Sequence, residues 1–188
     1  MAKHYIARTV TETPAYMQAL IKVPSAVELH AGQVVVAEDL DATISENYSV
    51  YAPTQVADAG KENIAIILNG GFETLPDGRR PDGQPDYTQY TMKSGEVVTA
   101  HRLIPETRYE VSFDACDNTV VAGTVKPGDN LIPKNGQYEL SYSAKATEVT
   151  AKNYLKIEAI KYSRLGGQFG GDFAQTMVVR AKATDATA

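Results

Sequence analysis

The sequence predicts an all-β protein, a β-sandwich or small β-barrel with a long Pro/Gly/Asp-rich loop and at most one or two short helices. Three observations lead there. Apolar and polar residues alternate over short runs, the period of a half-buried strand. Gly, Pro, Asp and Asn interrupt those runs at short intervals, as in sandwiches and barrels. The chain holds 11 Tyr and 4 Phe but no Trp. Tyrosine suits a sheet surface, because its ring is apolar and its hydroxyl can stay wet.

Taken in order, 3–10 (KHYIARTV) reads as the first strand, broken by Glu12 to Pro14. Segment 13–23 (TPAYMQALIKV) is the best helical candidate, since Thr13-Pro14 fits a cap with proline at the first helical position. It is short, and its apolar positions suit an extended segment almost as well. Strand candidates follow at 33–39, 48–53, 63–69, 87–92, 96–104, 108–115, 118–125, 137–144, 153–163 and 173–183. Residues 164–172 (RLGGQFGGD) read as a wide hairpin tip between the last two. The whole is one β-rich domain over 1–188, with an excursion at about 70–92 and a frayed tail at 184–188.

A weak internal repeat runs through ELHAGQVVVA (28–37), TMKSGEVVTA (91–100) and TVKPGDNLIP (124–133). Gly32, Gly95 and Gly128 occupy the matching position, each followed by Gln, Glu or Asp and then a β-rich run. The reading is structural: a tight turn needing positive φ at glycine, then a strand.

Composition narrows the function classes. Apolar residues make up 43% and charged residues 22%, which suits an ordinary globular chain rather than a disordered one. A formal charge of −5 argues against a nucleic-acid binder, which needs a concentrated basic face. No run approaches the roughly 20 apolar residues of a membrane span. The opening MAKHYIARTV lacks the apolar core of a signal peptide, so folding in a cytosol is expected.

No motif assembles a catalytic or metal centre. Asp77, Asp82 and Asp86 offer oxygen ligands, but Arg79 and Arg80 intervene, and Asp-Gly pairs are turn formers in their own right. His4, His30 and His101 show no zinc-type spacing. Cys116, the single cysteine, has Asp114 and Asp117 beside it, which would raise its pKa and blunt a nucleophile built with His101. GGQFGG (166–171) precedes no lysine–serine pair or helix, unlike a phosphate loop. Paired carboxylates are not selected by any local pattern. No cofactor is expected.

Binding through loops on a rigid β scaffold is therefore the expected mode. In the excursion, Arg79 and Arg80 suit bidentate pairing with a partner's carboxylates, and Tyr87 and Tyr90 lie nearby. The bland alternative is that the arginines only solvate a loop. Tyrosines 87, 90, 109, 138, 142, 154 and 162 leave open a carbohydrate- or small-ligand-binding module, if they converge on one concavity.

The turns AGQVVVA, SGEVVTA and KPGDNLI, with the closing pair of long strands, resemble small β-rich virion proteins of tailed bacteriophages. The likeness is greatest to capsid decoration, or head-stabilising, proteins. It covers about half of the chain, which is longer than the smallest of these proteins and carries the added excursion at 70–92. The resemblance implies a virion protein, made in the bacterial cytoplasm, that binds the outside of an icosahedral shell. Its partner would be the major capsid protein, and it would clamp neighbouring capsomers, with no cofactor and with a trimer or ring as its own assembly. A tail-tube or connector protein is the alternative within virions.

Overall fold

Two antiparallel-rich sheets share one hydrophobic core in the computed structural model, which describes residues 5–10, 17–40, 50–68, 91–164 and 173–184. The chain forms β1 (Ala7–Thr9), β2 (Gln18–Lys22), β3 (Val34–Val36), β4 (Val50–Tyr51), β5 (Ile64–Ile67) and β6 (Val97–Arg102). It continues with β7 (Arg108–Ser112), β8 (Asn130–Pro133), β9 (Leu140–Ser143), β10 (Asn153–Arg164) and β11 (Phe173–Ala183). Sheet A has the order β1-β7-β11-β10-β8-β9 and sheet B the order β3-β5-β6-β2-β4. One sheet curls into half a barrel, and no α-helix occurs among the described residues. The all-β architecture therefore stands, between a sandwich and a small barrel.

Alternation explains how sheet A buries one face. Tyr109, Val111, Leu155, Ile157, Met177, Val179 and Ala181 are fully buried, while their chain neighbours Arg108, Lys156 and Arg180 remain partly exposed. Twelve-residue β10 would lose this phase against β11 without a correction. A bulge between Ile157 and Ala159 inserts Glu158, so Ile157 faces Val179 and Ile160 faces Met177 on the same inner side. The sheets meet where His101 of β6 packs edge-to-face on Tyr109 of β7, ring centroids 6.4 Å apart. Among the described residues the buried His101 Nδ1 has no hydrogen-bond partner, and burial holds the imidazole pKa below its usual value.

The repeated sequence element forms one local device three times. In His30–Gln33, Lys93–Glu96 and Lys126–Asp129 the fourth N–H donates to the first carbonyl, at 3.3, 3.0 and 3.1 Å. The third residue is Gly32, Gly95 or Gly128, with φ of 91°, 86° and 99°, a region that penalises any side chain. The fourth side chain then reaches back and accepts the N–H of the first residue. Gln33 Oε1 takes that of His30 at 2.8 Å, Glu96 Oε2 that of Lys93 at 3.1 Å, and Asp129 Oδ2 that of Lys126 at 2.8 Å. This reciprocal bond is the physical reason for the Gln, Glu or Asp after each glycine. A strand follows each turn: β3, β6 and β8.

Three sequence expectations need correction. The helical candidate at 13–23 is strand β2 over Gln18–Lys22, with Ala19 and Ile21 buried and Gln18 and Leu20 exposed. Residues 13–16 lie outside the described residues. The strand expected at 118–125 is a chain of turns, because Asp117 accepts the Thr119 N–H at 2.9 Å and Gly123 adopts φ of 88°. Local side-chain bonding and glycine geometry there override the β-branched residues. The strand expected over 108–115 ends at Ser112 and gives way to a 3-10 turn over Phe113–Ala115. At the far end, Thr184 donates its N–H to the Lys152 carbonyl at 2.9 Å. Residues 185–188 of the expected tail lie outside the described residues.

Candidate functional site

The outer face of sheet A concentrates charge. Cross-strand register places Arg8 opposite Glu110, Arg108 opposite Arg180, Arg180 opposite Lys156, and Lys161 opposite Thr176, all on the side away from the core. Lys182 extends the row on β11. Alternation creates this face, since the residues between these positions are the apolar ones just described.

Three carboxylates organise the cations. Glu110 is only 1% exposed, yet it stands on this outward face under a roof of charge. Its Oε2 lies 2.8 Å from an Arg8 guanidinium nitrogen and 3.1 Å from Lys161 Nζ, and its Oε1 accepts the Thr176 hydroxyl at 2.8 Å. Burying a carboxylate is costly unless it is paired and hydrogen-bonded, and these three contacts meet that condition. Glu158, delivered by the bulge, pairs with Arg108 at 2.9 Å and with Arg180. Glu106, at the rim before β7, pairs with Arg180 at 2.9 Å and with Lys182. Hydrogen bonds from Lys182 and then Arg180 hold its carboxyl below the usual range. Glu106 keeps φ of 73° in a turn where a glycine would be relaxed.

Five cations (Arg8, Arg108, Lys161, Arg180 and Lys182) thus pair with three carboxylates, and Lys156 adds a sixth cation to the same face of a chain whose formal charge is −5. The arrangement offers electrostatic attraction to an acidic surface.

A groove of about 440 Å³ opens where this face meets the Lys126–Asp129 turn. Asn130, Lys145, Tyr154, Lys156 and Thr184 line it, with Gly128 in its wall. Burial works to raise the Asp129 carboxyl, but the N–H groups of Lys145 and Lys126 and the Tyr142 hydroxyl more than reverse this, so it titrates below the usual range.

The residues singled out from sequence fare differently. Arg79, Arg80, Tyr87, Tyr90 and the three aspartates of the excursion lie outside the described residues, as do His4 and the glycine-rich tip. The excursion returns to the scaffold at Met92, which is buried and bridged to Leu29. Cys116 donates to the Ser112 carbonyl at 3.8 Å. Burial first, then the charges of Asp117 and Glu139, push its thiol pKa far up, the reverse of an activated nucleophile. His101, its imagined base, meets Tyr109 instead. Asp117 is committed to Thr119 and Ser141. His30 stacks on Tyr5 at 3.9 Å.

Among the described residues no group of three or more His, Cys, Asp and Glu is placed to hold a metal ion, and no helix is long and apolar enough to cross a membrane. The described tyrosines are dispersed: Tyr109 is core, Tyr138 and Tyr142 pack partly buried against it, and Tyr162 is 71% exposed. Tyr154 alone of these lines the groove. The sequence reading missed the charged face and the groove. Its available signal was Lys156, Glu158 and Lys161 within NYLKIEAIKYSR, and Arg180 and Lys182 at alternate positions in β11. Compared with known proteins, the chain matches no family model, no curated protein and no solved structure.

Proposed function

We propose that this is a non-catalytic virion structural protein that docks on the exterior of a capsid and stabilises the shell, with the major capsid protein as partner. The observation that carries the reading is the one-sided charge: six cations gathered on the outer face of sheet A in a chain of net charge −5. Such segregation steers and orients an approach to an acidic surface while the remaining surface repels it. The ion-paired sheet is a rigid platform, and the excursion with Arg79, Arg80, Tyr87 and Tyr90 is a second candidate contact. Many copies of a modest interface, as monomers, trimers or rings, reinforce a shell collectively. The reading needs no cofactor, nucleic acid or membrane.

The test begins with the genes that flank the coding sequence. Capsid, protease and portal genes are expected there. Purified protein should then co-sediment with expanded capsids assembled from the adjoining capsid gene, less so as salt rises from 50 to 500 mM. Absence of co-sedimentation at low salt overturns the reading. Spontaneous assembly of the pure protein into tubes or hexameric rings would move it to the tail.

A further inference from the structure

We infer that the groove beside the Lys126–Asp129 turn seats a short acidic peptide segment of a partner protein, held by Lys145 and Lys156. The inference rests on the reading above that the chain works by docking on protein, and it names where and how.

Cationic charge is left over at the groove. Arg8, Arg108, Lys161, Arg180 and Lys182 each meet a carboxylate of their own molecule. No ion pair engages Lys145 or Lys156 among the described residues. Both lysines line the groove, and among the described residues no carboxylate lines it. The groove is therefore where the positive field of sheet A is not neutralised from within.

The lysines are also held in place. Lys156 stands on the outer face between Asn130 of β8 and Arg180 of β11. Lys145 is anchored through its N–H, which donates to Asp129 Oδ1 at 3.0 Å. Its stem crosses Gly128 so closely that a Cβ there would lie 3.3 Å from Lys145 Cδ. The turn's glycine thus serves two ends, positive φ and space for the lysine. Asp129 joins the device together, since its Oδ2 accepts Lys126 N–H at 2.8 Å and the Tyr142 hydroxyl at 3.3 Å.

Volume and charge select the ligand class. A volume of about 440 Å³ accommodates a segment of a few residues, within the about 300–1,000 Å³ of small-ligand sites. Ammonium groups on flexible stems suit the carboxylates of a peptide that is not pre-shaped. A formal charge of −5 over the whole molecule disfavours a long polyanion such as nucleic acid, whose field reaches well beyond the groove.

The test is an amide NMR titration of the intact protein with synthetic hexaglutamate at low salt, with hexalysine as the control. Shifts are expected at Gly128, Lys145 and Lys156 with hexaglutamate only. The double variant Lys145→Glu/Lys156→Glu should weaken binding by roughly tenfold or more, since like charges then line the groove. Lys145→Gln/Lys156→Gln should weaken it less, and Lys93→Glu on sheet B should leave it unchanged. No shifts, or shifts confined to other residues, overturn the inference. So does a short DNA duplex that displaces hexaglutamate from the same residues. The two readings fail separately. Capsid binding unaffected by the double variant sinks the groove alone, whereas hexaglutamate binding without capsid binding sinks the capsid alone.

Discussion

The turn at Gly32 and the turn at Gly95 have the same local design and opposite surroundings. Both place glycine at a φ near 90°, and both are closed by the side chain that follows. Gly32 is buried, and a Cβ there would stand 2.5 Å from Ala115 Cβ and 3.4 Å from a Val111 methyl. A Cβ at Gly95 would meet nothing within 4 Å among the described residues. Gln33 is likewise buried and spends its second polar atom on Glu139 at 3.0 Å, whereas Glu96 caps an exposed turn. A short motif therefore specifies a shape, and its surroundings decide how much depends on that shape. At Gly95 the cost of a side chain is backbone strain; at Gly32 the same strain is joined by a collision with Ala115 of the 3-10 turn after β7.

The largest effect that would sharpen this contrast is expected from Gly32→Ala. Left-handed strain of about 1–2 kcal/mol and overpacking of about 1–3 kcal/mol should act together, read as a fall in urea midpoint at unchanged slope. A loss no greater than that of Gly95→Ala would break the comparison. Next comes Gln33→Ala, which leaves the His30 N–H without its acceptor and should cost about 1–3 kcal/mol, against under about 1 kcal/mol for the exposed Glu96→Ala. Gly95→Ala should cost about 1–2 kcal/mol from strain alone. Gly128→Ala should cost little more, because the atoms it meets are the flexible stem of Lys145.

The smallest effect concerns acid. Asp129 titrates lower in the folded protein than the 3.8 of an ordinary carboxyl. Its stabilisation is therefore fully present above the unfolded value and is lost as pH falls through the folded one. The side chain that closes the Gln33 turn is an uncharged amide, so the closing bond itself does not titrate. Thermal unfolding from pH 5 to 2.5 should show a shallower decline for Asp129→Asn than for the wild type. Parallel curves would remove the carboxylate from the account.

How much of this was legible depends on where the determinants sit. Strand β11 could be read with its limits, because Arg180 and Lys182 alternate with apolar Val179, Ala181 and Ala183 at one end and Gly-Gly-Asp precedes Phe173 at the other. The three glycine turns were visible because their chemistry is local. Lys134–Gln137, with Gly136 at φ of 74° and Gln137 donating to the Lys134 carbonyl at 3.3 Å, carries the same glycine–glutamine signal and went unread. Strand β2 was ambiguous because apolar Leu20 occupies an outward position, where it blurs the alternation of Ala19 and Ile21. The charged face was hidden for a different reason. Glu110 meets Arg8, Lys161 and Thr176 only after β1, β7, β11 and β10 have been laid side by side. No local pattern contains that order.

The same strand order has a consequence in time. Strand β1 finds its partner only in β7, and the bond from Ile6 N–H to Ser112 Oγ spans 106 residues. Strand β2 waits similarly for β6, whereas β10 with β11 and β8 with β9 pair with neighbours in sequence. Closing long loops before any reward is gained slows folding, so the C-terminal ribbons should organise first and the N-terminal strands be stitched in last. Pulse-labelled hydrogen exchange during refolding should find Val179 protected before Ile6, whose N–H donates to Ser112 Oγ. Until then β1 lacks β7 and β2 lacks β6, and crowding at that stage favours aggregation over the finished sheet.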